Sequence, residues 1–208
     1  RASRERKDGA RNAFAVTPNS EPVKEVLVQA LSSHNLFRIG IALHTFADSW
    51  AHQHFTGRLD GFNASPGYTL LPSVGHLPAL TKPDEHDTVW VDDRLVSELS
   101  TIVNRERFMA AAGKIYRYLR TFRREGFDDE DFVLARLSGL LSSGGGREGA
   151  AASFAIEANA TLYDRREWLV SAGIMDETSG DPLFNGYNKM LWLKAQATRR
   201  LGSGDGGR

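Results

Sequence analysis

Apolar residues along this chain recur at the three-and-four spacing of an amphipathic helix, and that period predicts most of its elements. Val23, Val26, Leu27, Ala30 and Leu31 follow Ser20, which stands as an N-cap with Pro22 in the first turn, where a missing N–H costs nothing. After "SSHN" a second stripe of Leu36, Ile39, Gly40, Leu43, Phe46, Ala47 and Trp50 predicts a helix over about 36–55. Helical patterns resume near Asp92. The clearest runs over 104–122, with Phe108, Ala111, Ala112, Ile115, Tyr118, Leu119 and Phe122 as its buried face. Asp128 or Asp129 caps the next, which carries Phe132, Val133, Leu137, Leu140 and Leu141 inside. "SSGGGREG" is a break, and two further helices are expected over about 151–172 and 187–201. No strand-like alternation is long enough to read, so the expected fold is all-α, a single-domain helical bundle.

The stretch 56–88 interrupts this pattern. It contains Gly57, Gly61, Pro66, Gly67, Pro72, Gly75, Pro78 and Pro83 and reads as one long loop. Ordered loops beyond about 12–15 residues tend to be functional. The organisation that follows is a polar, basic arm over 1–19, an all-α domain over 20–201 and a disordered tail, "GSGDGGR", over 202–208.

Composition narrows the function classes. The 208 residues suffice for one domain with a real core. Lys+Arg and Asp+Glu number 26 each, so no global field steers the protein to nucleic acid or an anionic membrane. With no cysteine, disulfides and thiolate metal sites are both excluded. No apolar run approaches the roughly 18 residues of a membrane span. The chain starts with Arg and lacks a signal-peptide pattern, so a processed or excerpted protein is expected, and cytoplasm and export both stay open.

The candidate chemistry is histidine-based. All six histidines lie between positions 34 and 86. In "ALHTFADSWAHQHFTG", His44, Asp48 and His52 fall four apart, on one face of a helix. Neighbours in that row sit roughly 6 Å apart along the axis, so His44 and Asp48 can close on one ion. His52 lies roughly 12 Å from His44 along the same axis and meets Asp48 from the other side. That line suits two or more ions with a bridging carboxylate. A helix offers one face only, and the loop "GHLPALTKPDEHD" supplies the remaining candidates, His76 and Asp84, with Gly75 and Pro83 shaping its approach. His54, His86 and Asp87 are placed around that set as supporting residues, and His34 on the surface. A histidine–carboxylate hydrogen-bond network without metal is the plainer alternative.

The same residues resemble a known family. The His44–Asp48–His52 helix is similar to the metal-binding helix of the zinc-dependent phospholipase C and P1-type nuclease superfamily. A nearer resemblance is to a bacterial family of unknown function whose members resemble that superfamily. That family's pattern has an "HTxxDxxxHxxFxG" helix, a "GHxxxGxxPD" loop, a Trp and an "RNxxRF" helix start. Here these read as His44 to Gly57, Gly75 to Asp84, Trp90, and Asn104 to Phe108. The pattern's loop glycine is replaced by Leu80, and residues 87–208 contain no further histidine. The resemblance implies a metal-dependent phosphoesterase holding zinc or another divalent transition metal, with a phosphoester small molecule or lipid headgroup as substrate. A non-catalytic helical domain with one structural ion is the first alternative. The second is a metal-free interaction module using the basic arm and the 117–124 surface.

Overall fold

The computed structural model describes residues 5–65, 70–126, 128–142, 146–157 and 164–171. The chain forms two compact units, residues 1–160 and 161–208. Helix α6 (Arg165–Ser171) is the described element of the second.

The first unit is built on three helices. In α1 (Glu21–Ser32) the buried positions are Leu27, Ala30 and Leu31, one apolar stripe. It ends because His34 takes a left-handed φ of 52°, which turns the chain. Asn35 then caps α2 (Leu36–Ala51), its side chain accepting from the Arg38 N–H at 3.1 Å. The turn therefore needs His34 as a backbone element, and its ring packs on Phe122, 5.1 Å between centroids. Leu27, Leu31, Ile39, Phe46 and Trp50 join Ala111 of α3 (Asn104–Arg123) in one core, with Leu119 and Phe122 against it. Phe46 anchors it, meeting the Tyr118 ring edge-on at 5.4 Å. Asp129 caps α4 (Glu130–Leu141) through the N–H groups of Asp131 and Phe132, and α5 (Gly146–Glu157) packs on α4.

The expected all-α class is corrected by the segment between α2 and α3. Strands β1 (Val89–Val91) and β2 (Thr101–Val103) pair antiparallel, with Trp90 opposite Ile102. The fold is thus mixed α/β with helices dominant. Each strand has three residues, too few for a period of two to stand out from the sequence. Their inward side chains, Trp90 and Ile102, form a second core with Phe55, Ala79 and Leu95. The helical pattern expected from Asp92 is absent over 92–100.

Residues 5–16 are stitched to this second core. The Val96 N–H donates to Glu5 O at 2.8 Å, Lys7 N–H to Arg94 O at 3.0 Å, and Val16 N–H to Phe55 O at 2.7 Å. The helices expected over 187–201 and the tail lie outside the described residues. Among the described residues no helix is long and apolar enough to cross a membrane.

Candidate metal centre

Helix α2 delivers His52 at its very end. The last helical residue is Ala51, and His52 is the C-cap, with φ −95° and ψ 27° and its N–H still bonded to Asp48 O at 2.9 Å. Carbonyls at a helix end need partners. Arg107 Nη1 donates to Ala51 O at 3.2 Å and Arg94 Nη1 to His54 O at 3.2 Å. A cation at a helix C-terminus also complements the negative end of its dipole. Burial pushes Arg107 down to about 10, with the Asp92 carboxylate resisting that shift. These arginines fix the place from which the His52 ring leaves the helix.

The other two members come from the loop. His76 precedes a 3-10 turn, Leu77–Ala79, and Asp84 closes a second one, Lys82–Asp84. His52 Nε2 lies 2.8 Å from Asp84 Oδ1, and His76 Nε2 lies 3.7 Å from Asp84 Oδ2. The two rings stack, 4.3 Å apart and 9° from parallel. One ligand atom from each of the three residues falls within 4.8 Å of the others. The site opens to solvent, with the Asp84 side chain 42% exposed.

The orientation of His76 is informative. Its Nδ1 lies 3.0 Å from the Leu80 carbonyl oxygen, which only accepts, so Nδ1 carries the hydrogen. In the neutral ring Nε2 is then a lone pair, and it faces a carboxylate oxygen. Two acceptors converging on one space favour a cation between them. A carbonyl bonded to the far nitrogen is also how metal-bound histidines are usually held.

Leu80 achieves this at a cost in backbone strain. Its φ is 56° and ψ −136°, a conformation that glycine adopts freely and that side-chain-bearing residues avoid. This is the position at which the sequence pattern has glycine. Leu80→Gly should therefore raise the free energy of unfolding by about 0.5–1 kcal/mol, strain relief outweighing the entropy of a new glycine. Urea titration tests it, and a less stable variant would refute the strain.

The remaining sequence candidates fall elsewhere. His44 and Asp48 form a separate pair on α2, Nε2 to Oδ2 3.4 Å, with the His44 side chain 79% exposed. Among the described residues neither belongs to the trio, and Asp48 makes no ion pair with His52. His54 points to Glu5, Nδ1 to Oε2 3.5 Å; burial pushes its pKa down while Glu5 opposes. His86 is buried, its Nε2 3.0 Å from Leu141 O, and ties the loop to the end of α4. Asp87 is exposed. None of these three is in the cluster.

Asn104 supports the site, a role that its residue type and local propensity do not signal. Fully buried at the start of α3, it donates through Nδ2 to Lys82 O and to Glu85 O at 2.7 Å, the carbonyls on either side of Asp84. Its Oδ1 accepts from the Trp90 indole N–H at 3.0 Å. One carboxamide thereby joins the acidic turn, β1 and α3. The sequence signal for it is the Trp90 and Asn104 pairing within the resembled pattern.

A helical domain with a small sheet and a surface trio of two histidines and one aspartate is the class that fold and site define. The chain belongs to a family of unknown function (DUF6765), which matches residues 1–200. No curated protein and no solved structure matches it.

Proposed function

We propose that this protein is a metal-dependent hydrolase of phosphoric esters, with His52, His76 and Asp84 holding zinc or a similar divalent transition ion. The observation that carries the reading is the convergence of the His76 Nε2 lone pair and the Asp84 carboxylate, with the His52 imidazole on the same carboxylate. The donor set fits such an ion. Imidazole nitrogens suit zinc, iron, copper and nickel, and a carboxylate completes a neutral-to-anionic cage. Three protein ligands leave coordination positions free, as catalytic zinc sites do. When bound, the ion supplies Lewis-acid activation of water near neutral pH and stabilises phosphoryl charge. Leu80 O orients His76, Asn104 orients the Asp84 turn, and the arginine-capped end of α2 orients His52. The phosphoester substrate rests on the likeness of the His44–Asp48–His52 helix to zinc phospholipases C and P1-type nucleases, and the exposed His44–Asp48 pair is the place for a further ion.

A single structural ion is the second reading. It is favoured by the origin of the three ligands, which come from the end of α2 and two separate turns of the loop, so one ion staples the loop to the helix.

Elemental analysis of protein purified without chelator separates these readings. Asp84→Ala is expected to lose the ion, and His44→Ala to keep one at the trio. Hydrolysis of bis(p-nitrophenyl) phosphate that disappears with Asp84→Ala and returns on adding zinc to chelated parent protein supports the hydrolase. A metal-loaded, inactive protein whose melting temperature collapses with EDTA supports the staple. Equal metal content in Asp84→Ala and the parent would remove the trio as the site.

A further inference from the structure

A pocket of about 460 Å³ opens between α1 and the second half of α3, bounded by Asn19, Leu31, Lys114, Tyr118 and Phe122 among others. That volume lies in the range of small-molecule sites, which pair an apolar lining with a few placed polar groups. The floor is apolar, because Leu31 belongs to the main core and Tyr118 and Phe122 pack against it. The lining follows α3 from Lys114 to Phe122, about 12 Å at 1.5 Å per residue, so the pocket is elongated. It is also separate from the trio. Asn104 beside Asp84 begins α3, and Lys114 lies ten residues on, about 15 Å along the axis.

The polar groups define the occupant. Arg117 is matched by Glu130, with contacts of 2.9 and 3.1 Å from Nε and 2.8 Å from Nη2. Lys24, near Tyr118, is matched by Glu21. Among the described residues Lys114 has no carboxylate partner, so it leaves one uncompensated positive charge on an apolar-floored pocket. At the edge, Asn19 Oδ1 is buried without a hydrogen-bond partner. Turning that carboxamide toward an occupant breaks no bond of its oxygen.

We infer that this pocket binds a single-chain amphipathic acid whose polar end carries a hydrogen-bond donor beside its carboxylate. N-acyl amino acids and hydroxy fatty acids have this chemistry. The acyl chain lies along Leu31 and Phe122, the carboxylate meets Lys114 Nζ, and the N–H or O–H meets Asn19 Oδ1. The strength of the carboxylate contact comes from pairing charges beside apolar surface.

Calorimetric titration with N-decanoylglycine, decanoate and decanol tests the assignment on the full chain, with and without EDTA. One saturable site for N-decanoylglycine is expected, with decanol weaker by about tenfold or more. Lys114→Met, which keeps the apolar stem, should weaken both acids by a similar factor. Val28→Trp, at an exposed position on the pocket wall, should abolish binding by filling it. Asn19→Gly tolerates the left-handed φ of 53° and should weaken N-decanoylglycine while leaving decanoate unchanged. Each variant is checked for an unchanged melting temperature. No saturable binding, or full affinity in Lys114→Met, would overturn the inference. Equal weakening of both acids by Asn19→Gly would overturn the donor assignment, and binding that vanishes with EDTA would place the acid at the metal centre instead.

Discussion

The Arg94→Met variant is expected to unfold about 3–5 kcal/mol more easily than the parent chain at pH 7. Arg94 and Asp92 form a buried pair, each side chain 3% exposed, joined by Nε to Oδ1 at 2.8 Å and Nη2 to Oδ2 at 2.6 Å. The same guanidinium donates to His54 O and lies 3.6 Å over the Phe55 ring, so it touches the end of α2 and the second core together. Without it, Asp92 is a buried carboxylate that has lost its hydrogen-bonded counter-charge, and Arg107 acts on it only through space. The penalty is pH-dependent in a definite direction. Burial works to raise Asp92, but Arg94's hydrogen bonds and charge outweigh it and hold the carboxyl below its usual range. The pair's contribution is therefore complete above the unfolded value near 3.9 and fades as the pH falls through the lower folded value. In the variant burial acts without Arg94's bonds and charge against it, the folded value rises, and protonation relieves the penalty. The gap between parent and variant narrows from pH 7 to about pH 4. Urea titrations at both pH values measure it, and Asp92→Leu/Arg94→Met should regain much of the loss. A gap under about 1 kcal/mol at pH 7 would mean that water reaches the pair.

Removing Asn104 should be nearly as costly and should reach the candidate metal centre. Asn104→Ala strands the buried Trp90 indole N–H and removes the donor shared by the part-buried Lys82 and Glu85 carbonyls. At about 1–3 kcal/mol for the orphaned indole and less for carbonyls that water reaches, a loss of roughly 2–4 kcal/mol is expected. Asn104→Asp gives a sharper view of the site. It keeps the shape and the acceptor for Trp90 but no longer donates to the carbonyls flanking Asp84. If folded, it should bind zinc about 10–100-fold more weakly than the parent, as loss of an outer partner does in metal sites. Competition with a chromogenic chelator reads this directly. Parental zinc affinity in a folded Asn104→Asp protein would show that Asp84 holds its place without Asn104.

The sequence was informative wherever one residue type has one strong local meaning. The starts of α1 and α4 fall at the expected N-cap positions, Ser20 and Asp129, of which only Asp129 makes the side-chain bond, and α3 begins where its expected pattern does, at Asn104. The end of α2 was harder to read. Phe55 continues the apolar stripe and Gly57 is the natural stop, yet the helix ends at Ala51, and His54, with φ 68°, takes a left-handed conformation that usually marks glycine. Phe55 is then free to enter the second core, a tertiary contact with no local signature. That shift also separates His52 from the His44–Asp48 row and gives it to the loop. The loop candidates His76 and Asp84 stood out through residue type and flanking Gly75 and Pro83, but which candidates meet depends on the backbone of Leu80 and the bonds of Asn104. Neither has a signal in local propensity.

The attachment of residues 5–16 sets an order of assembly. Val16 finds its partner 39 positions later, at Phe55, and Glu5 finds its partner 91 positions later, at Val96. Helices α1 and α2, joined by a tight turn, need only neighbours in sequence. Closing the longer separations carries a larger entropic cost before any contact rewards it, which slows folding. On a chain made from its N-terminus, the Glu5 carbonyl has no native partner until Val96 has been added, so the segment synthesised earlier waits on residues that lie past both α1 and α2.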